Sequence, residues 1–315
     1  MNQHTDKKGL EGLIAATYTP LNRDHGINTK AIDPMVEHLL QNEISGLYTC
    51  GSTGEGMSLS SEERKEIAEA YVLAAAKRVP VIVQIGHNSI IEARQLAEHA
   101  QTIGADMISA TCPSYFKVDS VSSLVACMAE IASCAPKLPF YYYHIPALTG
   151  SKVEVLEFLK RASDRIPNLA GVKYTDTKLH EFQECLELEN GRFDVLWGCD
   201  EMLLGALAIG AHGAIGSTYN ISPLPYHQII TAFFEGNLHE ARRLQSLMVK
   251  VIRTLSQYPF HSAMKAVLAM QGFDMGSCRL PQGKLSEKQI TTLRSELKAM
   301  GFFEWSQSGK LEFSQ

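Results

Sequence analysis

The sequence predicts an α/β protein, a (β/α)8 barrel of the TIM type with a C-terminal helical extension. Three observations predict it. Eight short runs rich in Val, Ile, Ala, Thr and Tyr recur along the first two thirds of the chain. Longer segments with helical periodicity separate them, and after Ser217 the pattern changes to helical segments with no strand between. Eight strand-like runs alternating with helices are what a closed parallel barrel requires.

In order, the runs are Gly12 to Pro20, Gly46 to Gly51, Pro80 to Gly86, Asp106 to Cys112, Pro139 to Ile145, Leu169 to Thr175, Asp194 to Cys199 and Gly213 to Ser217. Ser60-Ser61-Glu62-Glu63 is a capping-box signal leading into a helix over Arg64 to Lys77. Ile90 to Ile103 carries apolar residues at helical spacing and ends at Gly104, a helix-stop residue. Short Gly-Ala-Asp and Gly-Ala-His-Gly turns at Gly104 and Gly210 lead back into strands. The seventh unit is compact, because Glu201 to Ile209 leaves room for only about two helical turns. Four helices follow, over Pro223 to Phe234, Leu238 to Leu255, Phe260 to Gln271 and Ser286 to Met300. No Gly/Ser/Pro linker separates residues 1–222, the barrel, from residues 223–315, the barrel-closing helix and extension, so a single structural unit is expected.

Composition narrows the function classes. Of the 315 residues, 45% are hydrophobic and 20% charged, which is a globular composition with ample core material. The 29 basic and 34 acidic residues give a net charge of -5 without runs of one sign, which argues against nucleic-acid and membrane-surface partners. No apolar stretch is long enough to span a bilayer, and Met1 to Lys8 is polar, so a cytoplasmic protein is expected. The seven cysteines form no C-x-x-C pair and are odd in number, which suits reduced thiols rather than disulfides or a zinc cage. Cys50, Cys112 and Cys199 fall at strand ends and read as small buried filler. The eleven histidines lack H-x-x-x-H or facial-triad spacing, so neither metal nor cofactor is expected.

In such a barrel the site lies where the strands end and the βα loops gather. Lys173 stands near the end of the apolar run Ala170 to Thr175, where an ammonium is normally avoided. Desolvation favours its neutral amine, a nucleophile toward carbonyls, so Lys173 is a candidate Schiff-base former; the plain alternative is a strand-end lysine snorkelling to water. Gly171, Lys173 and Thr175 share a face, and Gly171 is expected to leave space for a substrate carbon. Cys50-Gly51-Ser52-Thr53-Gly54-Glu55-Gly56 offers backbone N–H groups and two hydroxyls to a small carboxylate, or is a plain turn. In Phe140-Tyr141-Tyr142-Tyr143-His144, Tyr143 suits proton transfer beside the lysine; Tyr141 and Tyr142 read as core aromatics and His144 as a satisfied structural histidine. Gly198-Cys199-Asp200-Glu201 brings two carboxylates to the mouth, suited to a polyhydroxylated substrate, although Asp200 could simply cap the next helix. Tyr115 and Ser217 complete the candidates.

Taken together these segments resemble the pyruvate-dependent class I aldolase and lyase family that contains dihydrodipicolinate synthase and N-acetylneuraminate lyase. The resemblance runs from Gly12 to about residue 300: Gly51-Ser52-Thr53-Gly54-Glu55 is similar to the family's carboxylate-binding loop, and Lys173 sits in a G-V-K-x-T context like its Schiff-base lysine. Within the family the match leans to the N-acetylneuraminate lyase branch. Tyr142 to Gly150 is similar to the segment of that branch, with no arginine between Arg94 and Arg161 for a second substrate carboxylate, and Gly198 to Glu201 and Gly216 to Asn220 resemble its segments for a hydroxyl-bearing tail. Pro113-Ser114-Tyr115-Phe116 departs from the adjacent aromatics of many relatives, and Tyr115 is assigned to the tyrosine of a proton relay across a subunit interface.

The resemblance implies a homotetramer acting on a small molecule. Lys173 attacks a 2-keto acid, Ser52 and Thr53 hold its carboxylate, Tyr143 with Thr175 moves the proton, and Gly198, Asp200, Glu201 and Ser217 receive the polyol of N-acetylneuraminate. Pyruvate and N-acetylmannosamine are the implied products. The alternatives are a lyase or hydratase of another 2-keto acid, such as a keto-deoxy sugar acid, and a non-catalytic sugar-acid sensor. A phosphosugar isomerase is less suited, because the Asp200–Glu201 pair opposes an anion where such barrels cradle phosphate.

Overall fold

The structure, a computed structural model, describes residues 9–308; the polar stretch Met1 to Lys8 lies outside them. Eight parallel strands close into a barrel in sequence order: β1 (Gly12–Ala16), β2 (Gly46–Thr49), β3 (Val81–Gln84), β4 (Met107–Ala110), β5 (Phe140–His144), β6 (Leu169–Tyr174), β7 (Asp194–Trp197) and β8 (Gly213–Gly216), with β8 paired to β1. Each strand starts within one residue of its predicted run and stops short of the predicted end. The residues left over turn outward into the βα loops. At β2, for example, Cys50 takes φ 59°, so ladder pairing stops at Thr49.

Residue parity along the strands sorts two apolar layers. Ile14, Tyr48, Ile82, Tyr141, Tyr143, Leu196 and Ile215 pack together inside the barrel, while Leu13, Leu47, Phe140, Tyr142, Val172 and Trp197 face the surrounding helices. The floor of the barrel is closed by Asp194. Its carboxylate accepts the Leu10 N–H at 3.0 Å and the Tyr141 hydroxyl at 2.7 Å, and it pairs with His212 Nε2 at 2.7 Å.

The helix signals match the structure closely. Ser60 and Glu63 form a reciprocal capping box at the start of the helix Ser61–Ala75, and Gly104 follows the helix Ile90–Thr102 with φ 75°. Arg64 on the first of these is buried, and its guanidinium donates to the Gly86 carbonyl and to the carbonyl and amide oxygens of Gln84. Beyond β8 lie Pro223–Phe234, Leu238–Leu255, Phe260–Met270 and Glu287–Ala299, and a further helix, Phe302–Ser308, that the sequence reading did not anticipate. Its anchor is apolar: Phe302 and Trp305 are buried in one cluster with Met248, Val251, Leu293 and the barrel's outer residues. No helix among the described residues is long and apolar enough to cross a membrane.

Gly171 corrects an expectation. A Cβ there would lie 1.7 Å from the backbone carbonyl oxygen of Asp194, so the room beside it is filled by β7 and not by a substrate carbon. The β5–β6 register shift between Phe140 and Tyr141 falls at this crowded point. Gly171→Ala is expected to lower the thermal midpoint by about 5 °C or more, through forced separation of β6 and β7. Calorimetry checks this; an unchanged midpoint would contradict the packing account.

Candidate active site

Lys173 lies on the inner face of β6, in register with Tyr143 on β5 and Leu196 on β7. It is 4% exposed. Its Nζ sits 3.9 Å from the centre of the Tyr48 ring and 4.2 Å from that of Tyr143, and the two rings meet edge to face at 5.7 Å. Burial pushes the Lys173 ammonium down to about 7, against the opposing pull of Asp200 and then Cys199. A substantial fraction of the amine is therefore neutral and nucleophilic at neutral pH. Tyr48 escaped the sequence reading because no motif marks it, although its place between Leu47 and Thr49 puts it on the inner face by parity. Its hydroxyl donates to Ser109 at 3.1 Å, which fixes the ring under the amine.

The Gly-rich loop folds tightly against this aromatic wall. A Cβ on Gly51 would meet the Tyr48 ring at 2.7 Å, and one on Gly56 would meet the Cys50 carbonyl oxygen at 1.9 Å. The Glu55 N–H donates to the Ser52 carbonyl, the Gly56 N–H to that of Gly51, and the Thr19 hydroxyl to that of Gly54. The turn leaves Ser52 and Thr53 on the cavity wall, with Ser52 Oγ 3.5 Å from the Tyr143 hydroxyl. Burial pushes the Tyr143 phenol up to about 12, with hydrogen bonding to Ser52 and Thr175 acting the other way. It is thus a protonated phenol, suited to relaying a proton rather than standing as a phenolate base.

Asp200 defines the opposite wall. Its carboxylate accepts the Thr218 N–H at 2.8 Å and the Thr218 hydroxyl at 2.6 Å, so it braces the loop after β8 instead of capping the turn Asp200–Met202 that it begins. Burial pushes it up to about 6, with the Thr218 hydrogen bonds opposing. Gly216 is bare for this carboxylate's sake, since a Cβ would lie 1.9 Å from Asp200 Oδ1. Gly198 does the same for Thr175, whose Oγ1 would be 2.0 Å away. Glu201 is exposed and Ser217 half-buried at the rim.

These residues line one cavity of about 330 Å3, within the range of small-molecule sites. Lys173, Tyr143, Ser52, Thr53, Thr175, Gly198, Asp200, Glu201 and Ser217 all reach it; Tyr115 does not. Tyr115 is 80% exposed beside Phe116 on the loop after β4, with its N–H donated to Asn88 Oδ1. The cavity also takes Ile252, Ser256, Phe260 and His261 from the C-terminal helices, where the sequence marks no site residue. Burial pushes the His261 imidazolium down to about 4, so the ring is neutral beside the Tyr18 hydroxyl at 3.3 Å. A larger cavity of about 580 Å3, edged by Arg23, Lys265 and Lys284, holds none of the predicted residues.

His144 points to the outer face of β5 and is not satisfied as expected. Neither ring nitrogen has a hydrogen-bond partner, and Nε2 lies 3.8 Å from Asp176 Oδ2. His144, Asp176 and Glu181 form the one group with metal-ligand atoms within 4.8 Å of one another among the described residues. Both Glu181 oxygens are already engaged, by the Val155 N–H and the Tyr174 hydroxyl, and none of the three lines the cavity.

Acetylation of Lys173 by acetic anhydride is expected to reach half its maximal rate near pH 7, while exposed lysines stay slow until about pH 10. Because the folded value is depressed from 10.5, the amine's cost to folding is full below pH 7 and fades as pH rises toward 10.5. Peptide mass mapping against pH reads the first effect; a Lys173 profile that follows the exposed lysines would overturn it.

The chain matches the model of the dihydrodipicolinate synthetase family over residues 9–300. It is 45% identical over 278 residues to N-acetylneuraminate lyase A of Xenopus laevis, covering 87% of this chain and 91% of that one. It is 37% identical over 313 residues to the N-acetylneuraminate lyase of Homo sapiens, covering 97% and 98%. Among solved structures, the N-acetylneuraminate lyase (sialic acid aldolase) of Aliivibrio salmonicida superposes with a TM-score of 0.91 at 40% identity, covering 94% of this chain and 98% of that one. A match of this extent, with relatives at this identity along almost the whole barrel and extension, means that the chain belongs to the dihydrodipicolinate synthetase family.

Proposed function

We propose that this protein is a class I aldolase that cleaves N-acetylneuraminate to pyruvate and N-acetylmannosamine through a Schiff base on Lys173. The observation that carries the reading is the buried, weakly basic Lys173 amine, set between a hydroxyl-bearing loop on one side and the Asp200, Glu201 and Ser217 wall on the other. The names of the relatives support the same choice of substrate.

The chemistry follows from the groups present. Lys173 adds to the ketone of the open-chain 2-keto acid and expels water, giving an iminium. Ser52 and Thr53 hold the neighbouring carboxylate by hydroxyl and loop N–H donors. The iminium accepts the electron pair of the bond between the carbons α and β to it, leaving an enamine. The β-carbon's hydroxyl becomes an aldehyde as it loses its proton to Tyr143. The phenol can take that proton because it hands its own toward Ser52 and the bound carboxylate, along the 3.5 Å contact. Thr175, wedged against Gly198, lines the same cavity wall as the phenol. Protonation of the enamine and hydrolysis release pyruvate and restore the amine. Asp200, Glu201 and Ser217 accept hydrogen bonds from the sugar's hydroxyls.

The exposed Tyr115 and Phe116, 80% and 84% accessible, lie on one rim with Leu148 at 64% and support a contact with further copies of the chain in a homotetramer. Tyr115 then completes a neighbouring site. All seven cysteines are free, in keeping with a cytoplasmic setting.

Lys173→Ala is expected to abolish pyruvate release from N-acetylneuraminate, and borohydride with pyruvate should add one reduced adduct to the native protein alone. Unmodified native protein under those conditions would sink the proposal. Tyr143→Phe is expected to reduce turnover by roughly a hundredfold or more while the yield of trapped pyruvate adduct stays within about threefold. Equal losses in the two assays would remove Tyr143 from proton transfer.

A further inference from the structure

Glu55 is the last polar residue of the Ser52–Thr53 loop, yet it faces away from the cavity. Its side chain is fully buried. Oε1 lies 2.7 Å from the Nζ of Lys265 on the helix Phe260–Met270, an ion pair whose alignment falls short of a hydrogen bond. Oε2 accepts the Arg279 N–H at 2.8 Å. Lys265 is itself 2% exposed. The segment bearing that amide is pinned in turn, because the Arg279 guanidinium holds Glu63, the Ser58 carbonyl and the His25 carbonyl.

Burying two charges carries a desolvation cost that their attraction does not reliably offset, and an apolar pair would often serve stability as well. The arrangement therefore calls for a geometric reason. Glu55 sits at φ 56°, a left-handed conformation disfavoured for a residue with a Cβ, and its N–H closes the turn onto the Ser52 carbonyl. A carboxylate clamped from two sides holds that turn in place, and with it the hydroxyls two and three residues earlier.

We infer that Glu55, clamped by Lys265 and the Arg279 amide, is a positioning residue for the Ser52–Thr53 hydroxyls, so that the C-terminal extension sets affinity for the keto acid's carboxylate. The inference rests on the reading of that loop as the carboxylate subsite. Glu55 touches no substrate; it acts through the loop.

Two double variants that both remove the buried charges separate geometry from stability. Glu55→Gln with Lys265→Gln keeps an amide-to-amide clamp, while Glu55→Gln with Lys265→Met removes it. The readouts are the thermal midpoint, kcat, and the pyruvate concentration giving half-maximal borohydride-trapped adduct. The Gln/Gln protein is expected to stay within about threefold of wild type in half-saturating pyruvate. The Gln/Met protein, at a similar midpoint, should require roughly tenfold more pyruvate or beyond, with kcat changed by less. Both doubles at the wild-type value, or both raised equally, would overturn the inference. Should Gln/Met not fold, Glu55→Asp shortens the clamp while keeping its charge: a raised half-saturation supports the proposal and an unchanged one defeats it. Wild-type protein that traps no pyruvate would instead defeat the assignment of the subsite.

Discussion

An amine that is kept out of water is the constraint on which this structure depends. Lys173 sits among Tyr48 and Tyr143 with its proton made labile by burial, and the charge that opposes this most strongly is Asp200, itself pushed toward neutrality. A barrel suits such a group. Its floor is sealed by the Asp194 network, its walls are apolar layers, and it opens at one end. The lysine is buried where it is rooted and the cavity opens at the strand ends, so desolvation and access are arranged along one axis.

Close backbone approach is the second theme. Five glycines stand where a Cβ would strike something already committed: Gly51 against Tyr48, Gly56 against the Cys50 carbonyl, Gly171 against the Asp194 carbonyl, Gly198 against Thr175, and Gly216 against Asp200. Each trades side-chain volume for the placement of a neighbour. The pattern explains how so small a cavity gathers a cation, a phenol, several hydroxyls and two carboxylates without gaps. It also explains why Asp200, one of the most buried acids, commits one carboxylate oxygen, Oδ2, to the Thr218 amide and hydroxyl and keeps Oδ1 for the cavity. That bond fixes the loops after β7 and β8 relative to each other.

Much of the fold was legible because alternation and periodicity are local. A strand with both faces buried reads as a continuous apolar run, and the capping box at Ser60 and Glu63 announces its helix by chemistry alone. Much of the site was legible for the same reason: a lysine in an apolar strand, a loop of glycines and hydroxyls and a pair of acids at a strand end are unusual in place. Gly171 was misread because its meaning lies in the next strand's carbonyl, 23 residues away in sequence. His144 was misread because its surroundings, Asp176 and Glu181, come from the loop after β6 and the helix Leu179–Glu187.

By itself, then, the sequence determined the barrel, the order of its strands, the lysine placed within an apolar strand and the kinds of groups around it, since these follow from side-chain chemistry and periods of two and 3.6 residues. The tertiary structure alone decided which of them meet. It put Tyr48 under the amine, carried Ser256, Phe260 and His261 over the mouth, left Tyr115 on the outer rim, and buried Glu55 against Lys265, 210 positions further along the chain. The physical reason is the same in each case. Contact between distant segments is set by packing shape and by the pairing of buried polar groups, and neither leaves a periodic mark on the sequence.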